Sequence, residues 1–156
     1  MACLYLRIQP EAFGQGPKPA RSVAFLWVSG EEKGLLGSEW FANHQSLPAD
    51  ARIVADINLD MVSRNDPKSI GITPSPRHGQ YNSLSPAAQA TCKAEGMEAV
   101  FEADQYYGRT DSYNFSSKGI PVIFFSAGVH ADYHRPTGDY DKADLEKAAR
   151  VAHRLG

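Results

Sequence analysis

Apolar residues gather in three runs along the chain, over residues 23–29, 53–62 and 120–126, and polar residues follow each run. Runs that are apolar at successive positions, rather than at alternate ones, are typical of strands buried on both faces, as in parallel sheets. The pattern therefore predicts three strands that belong to a largely parallel sheet.

Segments with helical spacing alternate with these runs. Apolar positions over 36–47 share one face, and Pro48 ends that segment. A second predicted helix spans 85–96, opened by a serine cap and a first-turn proline and closed by a glycine. A final stripe made of Leu145, Ala148, Ala149, Ala152 and Leu155 predicts a C-terminal helix. This alternation indicates an α/β fold.

Carboxylates and histidines stand where the predicted strands end. Glu31 and Glu32 follow the first run, Asp60 interrupts the end of the second, and a loop carrying His130 and His134 follows the third. Ligands of α/β sheets bind beyond the carboxyl ends of the strands, and these oxygen and nitrogen donors form a candidate metal-binding set. The plainer interpretation of an acidic pair is a solvated helix start, where negative charge favours the helix dipole.

Two candidate ligands have a competitor close by in the sequence. Asp56 lies within the second predicted strand and is an alternative to Asp60, although a carboxylate inside a strand can also be a buried structural group. His130 stands in the same loop as His134 and is the alternative there. The position at the strand end favours Asp60, and the Tyr-His-x-Pro context favours His134.

Composition narrows the possible partners. The 156 residues, 42% of them hydrophobic, are enough for one domain spanning residues 1–156 with its own core. A net charge of −2 without a basic block disfavours nucleic acid and anionic membranes as partners. No apolar segment reaches the length of a membrane span, and the first residues do not form a signal peptide, so the location stays open. Cys3 and Cys92 are too few for a thiolate zinc site.

Four segments resemble successive signatures of the zinc aminopeptidase family of co-catalytic exopeptidases. They are GEEKGLLGS at 30–38, NLDM at 58–61, GIPVIFF at 119–125 and DYHRPT at 132–137. The family includes bacterial leucyl aminopeptidases and, more distantly, glutamate carboxypeptidases and glutaminyl cyclases, and the order of segments agrees over most of residues 20–150. The resemblance implies a three-layer αβα fold with a mixed, mainly parallel sheet, here a truncated zinc-exopeptidase (phosphorylase/hydrolase-like) fold.

The resemblance also assigns roles to individual residues. It implies that Glu31 is the general base, that Glu32 and His134 bind one zinc and that Asp60 binds the other, with a peptide as the substrate. Asp132, two positions before His134, is expected to orient the imidazole or the neighbouring backbone. The expected reaction is hydrolysis of N-terminal peptide bonds.

Residues 106–112 are the candidate substrate-binding segment. Tyr107, Arg109 and Asp111 are plausible pocket residues, and Tyr106 or Tyr107 could reach an oxyanion, although loop aromatics are more often packing groups. Ser112 stands where many relatives have histidine. That change bears on substrate preference.

The family pattern begins upstream with a His-x-Asp segment and an aspartate that bridges two zinc ions, and neither has a counterpart here. Residues 1–19 contain no histidine and no aspartate. The chain is therefore expected to be the C-terminal portion of the catalytic domain, with a remnant helix and linker at 1–19. Two zinc ions occur in intact relatives, whereas zero or one is expected here, with weak or no activity.

Two alternatives to that interpretation stay open, namely a mononuclear enzyme similar to glutaminyl cyclases and a non-catalytic remnant. In each case a sheet without its first strands exposes an edge and an apolar face. We therefore expect either a homo-oligomer or an N-terminal segment that covers the exposed surface.

Overall fold

The computed structural model describes residues 19–44 and 47–153. The predicted remnant helix and linker lie almost wholly outside the described residues. The helices and strands, in chain order, are α1 (Leu36–Asn43), β1 (Asp56–Leu59), β2 (Ser69–Thr73), α2 (Leu84–Ala94), β3 (Glu98–Val100), α3 (Tyr113–Ser116), β4 (Val122–Ser126) and α4 (Leu145–His153). Short 3₁₀ turns cover Glu31–Lys33, Asp104–Arg109 and Tyr140–Lys142.

The strands form one sheet in the order β1-β4-β2-β3. β1 runs parallel to β4, β2 runs parallel to β3, and β2 pairs with β4 in the antiparallel sense. The sheet is therefore mixed and mostly parallel, which confirms the predicted α/β class.

β4, one of the two inner strands of the sheet, is buried along its whole length. The hydrophobic core lies in two clusters, one on each face of this strand. Ile123 and Phe125 belong to a cluster that also holds residues of α2 and α4, whereas Val122 packs with residues of α1 and α3. Successive side chains of a strand point to opposite faces, so α2 and α4 cover one face of the sheet and α1 and α3 the other. This is the three-layer αβα arrangement.

The first predicted strand is wrong. Residues 21–30 adopt no regular secondary structure, and Val23 and Trp27 are 48% and 51% exposed. An apolar run forms a strand only where another strand offers backbone partners, and no strand in the described part of the chain pairs with this segment. The second predicted strand is real but shorter, because β1 covers only 56–59.

The apolar stripe predicted for the last helix is confirmed in part. Ala148 and Ala152 are buried as predicted, Leu145 and Ala149 are exposed, and Leu155 lies outside the described residues. Lys147 and Val151 are buried as well, and the ammonium group of Lys147 donates hydrogen bonds to the backbone carbonyls of Arg64 and Asp66. No helix in the described ranges is long and apolar enough to cross a membrane.

Candidate metal and catalytic site

The candidate site lies at the carboxyl ends of β1 and β4, which meet at one sheet edge because the two strands are parallel. Asp60 directly follows β1, and its amide donates to the Phe125 carbonyl of β4 at 3.2 Å. The loop after β4 carries His134. Glu31 and Glu32 lie in the 3₁₀ turn that precedes α1.

The structure brings Glu32 and His134 into direct contact. The Nε2 atom of His134 lies 2.6 Å from Oε1 of Glu32, although the residues are 102 positions apart in sequence. Both side chains are more than half exposed. No group of three histidine, cysteine, aspartate or glutamate side chains within residues 19–44 and 47–153 is close enough to hold a metal ion. Asp60 therefore does not join Glu32 and His134 in a group of three ligands in this structure.

Negative charge accumulates around Glu31. Burial raises the pKa of Glu31, and the neighbouring charges of Glu32, Asp60 and Asp111 raise it further, while His134 acts in the opposite direction. A carboxylate with a raised pKa is a stronger base at neutral pH. This environment suits proton abstraction.

Asp60 experiences a similar environment. Burial is the main cause that raises its pKa, the Met61 amide opposes the shift by donating a hydrogen bond, and the charges of Asp111 and Glu32 add to it. The carboxylates of this group repel one another, and a cation would relieve that repulsion. Zinc accepts both carboxylate and imidazole donors, so this set of residues fits a zinc ion. The donor chemistry thus fits zinc, with the Glu32–His134 pair as its best-formed part.

Two positions at the site have left-handed backbone conformations without being glycine. His134 has φ of 56° and Met61 has φ of 55°. This conformation costs a side chain-bearing residue about 1–2 kcal/mol, so the surrounding contacts must hold it. At His134 those contacts come from its own turn, in which the Arg135 amide donates to the Asp132 carbonyl at 3.0 Å.

Asp132 does not orient the imidazole directly. Its carboxylate accepts hydrogen bonds from Thr137, Arg64 and Lys142, and these hold the pKa of Asp132 well below its usual range. The side chain therefore ties the His134 loop to residues outside it. That Asp132 orients the neighbouring backbone stays a prediction, because these three contacts are with side chains.

Tyr133 is a residue of this site that the sequence did not single out. Its ring stacks on the imidazole of His134, with centroids 4.0 Å apart and planes at 25°. Burial raises the pKa of Tyr133, the charge of Glu32 raises it further, and Arg109 opposes the shift. In the sequence, the only indication that Tyr133 belongs to the site is that it directly precedes His134.

The candidate substrate residues fall into different environments. Tyr107 is buried, 7% exposed, and its ring packs against His78 with centroids 4.2 Å apart, which favours a packing role. Its assignment to the substrate pocket stays a prediction. Arg109 is exposed. Asp111 accepts a hydrogen bond from Ser38 at 2.5 Å, and Ser112 is buried, 1% exposed.

Asp56, the alternative to Asp60, is a buried carboxylate within β1. Its Oδ2 atom is out of contact with solvent and has no hydrogen-bond partner among the described residues. Burial, with a contribution from the charge of Asp111, raises the pKa of Asp56 to about 7. Asp56 is thus an internal acid whose electrostatic neighbour, Asp111, also acts on the site.

Comparison with known proteins identifies the family of this chain. Residues 5–155 match the model of Peptidase family M28. Leupeptin-inactivating enzyme 1 of Streptomyces exfoliatus is 28% identical over 131 residues, which make up 81% of this chain and 27% of that enzyme.

Solved structures of aminopeptidases are also similar to most of this chain, and the match covers about a third of each of them. An aminopeptidase from Aneurinibacillus sp. strain AM-1 is 30% identical with a TM-score of 0.61, and the match covers 82% of this chain and 30% of that one. The Legionella pneumophila LapA aminopeptidase has a TM-score of 0.66 at 21% identity, with coverage of 81% and 35%. The BSAP zinc aminopeptidase of Bacillus subtilis has a TM-score of 0.62 at 23% identity, with coverage of 80% and 32%.

The chain spans about 30% of the length of these relatives. The family match, in contrast, extends over almost all of its 156 residues. The chain therefore belongs to peptidase family M28.

Proposed function

We propose that this chain provides part of the active site of a zinc-dependent aminopeptidase, which hydrolyses N-terminal peptide bonds. The observation that carries the proposal is the 2.6 Å contact between His134 Nε2 and Glu32 Oε1, beside a Glu31 whose pKa is raised. A histidine nitrogen and a carboxylate oxygen in contact across two loops have the donor chemistry of a zinc ligand pair. The names of the solved relatives support the same reaction class.

In the proposed reaction, Glu31 takes a proton from the water that attacks the scissile carbonyl and passes it to the leaving amine. Zinc, when bound, supplies a Lewis acid that polarises the carbonyl and acidifies water. Glu32 and His134 would hold it, with Asp60 as the candidate ligand for a second ion. Arg109 and Asp111 are the proposed substrate contacts, since both lie in electrostatic range of the site.

The ligand set in this chain is incomplete for two ions. A pair of zinc ions about 3.5–4 Å apart needs a ligand shared between them, because the two cations otherwise repel each other. We therefore propose that the remaining ligands come from residues outside this chain. By itself the chain would bind one zinc ion weakly and hydrolyse aminoacyl substrates slowly.

The sheet itself supports the need for a covering segment. β1 pairs only with β4 among the described strands, and Val54 and Ile57 beside its open edge are each 44% exposed. Open apolar edges favour pairing with further chain. We infer that an N-terminal segment of a longer protein or a second copy of this chain covers this edge. Sedimentation velocity separates these two, because a stable monomer contradicts the second copy.

Zinc affinity, measured by competition with a chromogenic chelator, tests the metal site. We expect His134→Asn and Glu32→Gln each to weaken binding at least tenfold, because each removes a donor of the contact pair. His44→Asn is the matched control, since His44 is an exposed histidine that stacks on Trp40 at the end of α1. Equal affinities in all four proteins would contradict the zinc proposal.

Hydrolysis of aminoacyl-nitroanilides tests the reaction. Glu31→Gln should retain zinc binding and lose turnover by a factor of about 100 or more, because the base is lost while the ligands stay. Turnover that does not depend on Glu31 would contradict the mechanism. Glutamine cyclisation with one bound zinc would instead favour the cyclase-like alternative.

A further inference from the structure

Arg64 links two parts of the candidate site that are far apart in sequence. It follows β1 by a few residues, and its guanidinium donates to Oδ2 of Asp132 at 2.5 Å. The other oxygen, Oδ1, accepts from Thr137 Oγ1 at 2.7 Å and from Lys142 Nζ at 3.0 Å. The Arg64 and Asp132 side chains are only 17% and 14% exposed. Both carboxylate oxygens of Asp132 are thus held from three directions.

Lys147 holds the backbone of Arg64 in place. Lys147 of α4 is 1% exposed, and its ammonium donates to the carbonyls of Arg64 at 2.6 Å and Asp66 at 2.7 Å. A lysine buried to this extent needs hydrogen bonds that replace its hydration, and these two carbonyls provide them. The contacts form a continuous chain from α4 through Arg64 to Asp132.

His134 lies two residues beyond the end of this chain. Its side chain is 54% exposed and its φ is 56°, so neither burial nor an intrinsic backbone preference fixes the imidazole in place. The imidazole contacts Glu32 and stacks on Tyr133. Its backbone is held by its own turn, and Asp132 ties that turn to Arg64. Loss of this tie would leave the loop free to relax towards an unstrained conformation.

We propose that Arg64 is a positioning residue of the candidate zinc site. Held by Lys147, it clamps Asp132, so that the loop presents the His134 imidazole to Glu32. The role of His134 in this inference rests on the proposed function. The clamp itself does not, because it concerns the order of the loop whether or not zinc binds.

The test compares Arg64→Met and Arg64→Lys with Arg150→Met. Arg150 is the matched control, because its guanidinium donates to the Pro67 carbonyl of the same β1–β2 connection but does not contact Asp132. For Arg64→Met we expect about tenfold weaker zinc binding by chelator competition, the size typical of residues that support metal ligands. Faster amide hydrogen exchange should be confined to residues 130–138. Arg64→Lys should fall between wild type and Arg64→Met, since lysine keeps the charge but not the planar fork.

A double-mutant cycle that combines Arg64→Met with Asp132→Asn tests whether Arg64 acts through Asp132. If Arg64 acts through Asp132, the double variant should bind zinc no more weakly than the weaker of the two single variants. Additive losses would overturn the clamp. So would unchanged exchange over 130–138 in Arg64→Met, or exchange that rises throughout the protein, which would indicate a general folding role.

The two proposals fail in distinguishable ways. If the wild-type chain does not bind zinc but Arg64→Met still loosens the loop, the zinc proposal fails and the clamp stands. If zinc binds through Glu32 and His134 but Arg64→Met changes neither affinity nor exchange, the clamp fails and the zinc proposal stands.

Discussion

Replacing Asp56 by asparagine should stabilise the protein at neutral pH. The carboxylate lies in β1 with Oδ2 buried and unpartnered among the described residues, and burial together with the charge of Asp111 raises its pKa from 3.8 to about 7. Because the folded state holds this proton to higher pH than the unfolded chain, stability is greatest below the unfolded pKa and falls as pH rises through the folded one. Ionised Asp56 therefore opposes folding above neutral pH.

The size of the effect follows from the shift. One pKa unit corresponds to about 1.4 kcal/mol, so a shift of about three units corresponds to roughly 4 kcal/mol between acidic and mildly alkaline pH. Asparagine has nearly the same shape and does not ionise. With a typical urea dependence of about 2 kcal/mol per molar, Asp56→Asn should raise the unfolding midpoint by up to roughly 2 M at about pH 8, and by much less at about pH 5.

The assay is urea unfolding followed by tryptophan fluorescence at several pH values. The difference between variant and wild type isolates Asp56 together with its coupling to Asp111, because titrating groups that do not interact with Asp56 contribute equally to both proteins. Asp50→Asn is the matched control, since Asp50 is exposed and should give a small difference at every pH. Asp111→Asn should lower the pKa of Asp56 and so reduce the decline with pH. A difference that stays constant from about pH 5 to about pH 8 would refute the reasoning.

Three further substitutions, one of them with a matched control, test the fold. Ile72→Ala, at a fully buried position of β2, should cost about 3–4 kcal/mol in urea unfolding. Gly37→Ala should cost about 1–3 kcal/mol, because a Cβ there would lie 2.6 Å from a backbone carbonyl oxygen, whereas Gly79→Ala, with no atom within 4 Å, should change stability by less than about 0.5 kcal/mol. At Asp104, burial acts to raise the pKa, but hydrogen bonds that include one from Thr73 outweigh it and lower the pKa. This stabilisation is present at neutral pH and lost on acidification, so Asp104→Asn should destabilise at neutral pH and approach wild type as the pH falls below about 4.

Secondary structure was predicted best where the residues that determine it lie within one short segment. β4 is apolar at successive positions and lies between strands on both sides, so its pattern and its environment agree. α2 begins within one residue of its predicted start, because serine and proline mark a helix terminus locally. The four segments of the family resemblance lie in a chain whose family match covers residues 5–155.

The sequence failed where the outcome depends on residues distant in the chain. The run at 23–29 has the composition of a buried strand, but a strand forms only beside another, and none in the described ranges lies beside it. β2 and β3 were not predicted at all, because each is short and β2 contains a glycine at its centre. Lys147 can be buried because two backbone carbonyls of a distant loop accept hydrogen bonds from its ammonium group. Helical periodicity cannot indicate such contacts. Tyr133 is likewise defined by its neighbours rather than by a pattern. For Asp56, in contrast, the sequence already allowed a buried structural carboxylate, which is what the structure shows.

These misses indicate how stability and function are linked at this sheet edge. Glu31 and Asp60 both have raised pKa values, and in each case burial is reinforced by the charges of other carboxylates nearby. By the same linkage that applies to Asp56, each such group makes the folded state less favourable as it ionises. A zinc ion bound there would reverse the sign, because a cation favours the ionised carboxylates and adds its binding free energy to the folded state alone. The repulsion that weakens the metal-free fold at neutral pH is therefore the electrostatic property that would select a divalent cation. In the proposed arrangement, the clamp from Arg64 to Asp132 would keep the proposed ligand His134 in place while the site is still repulsive.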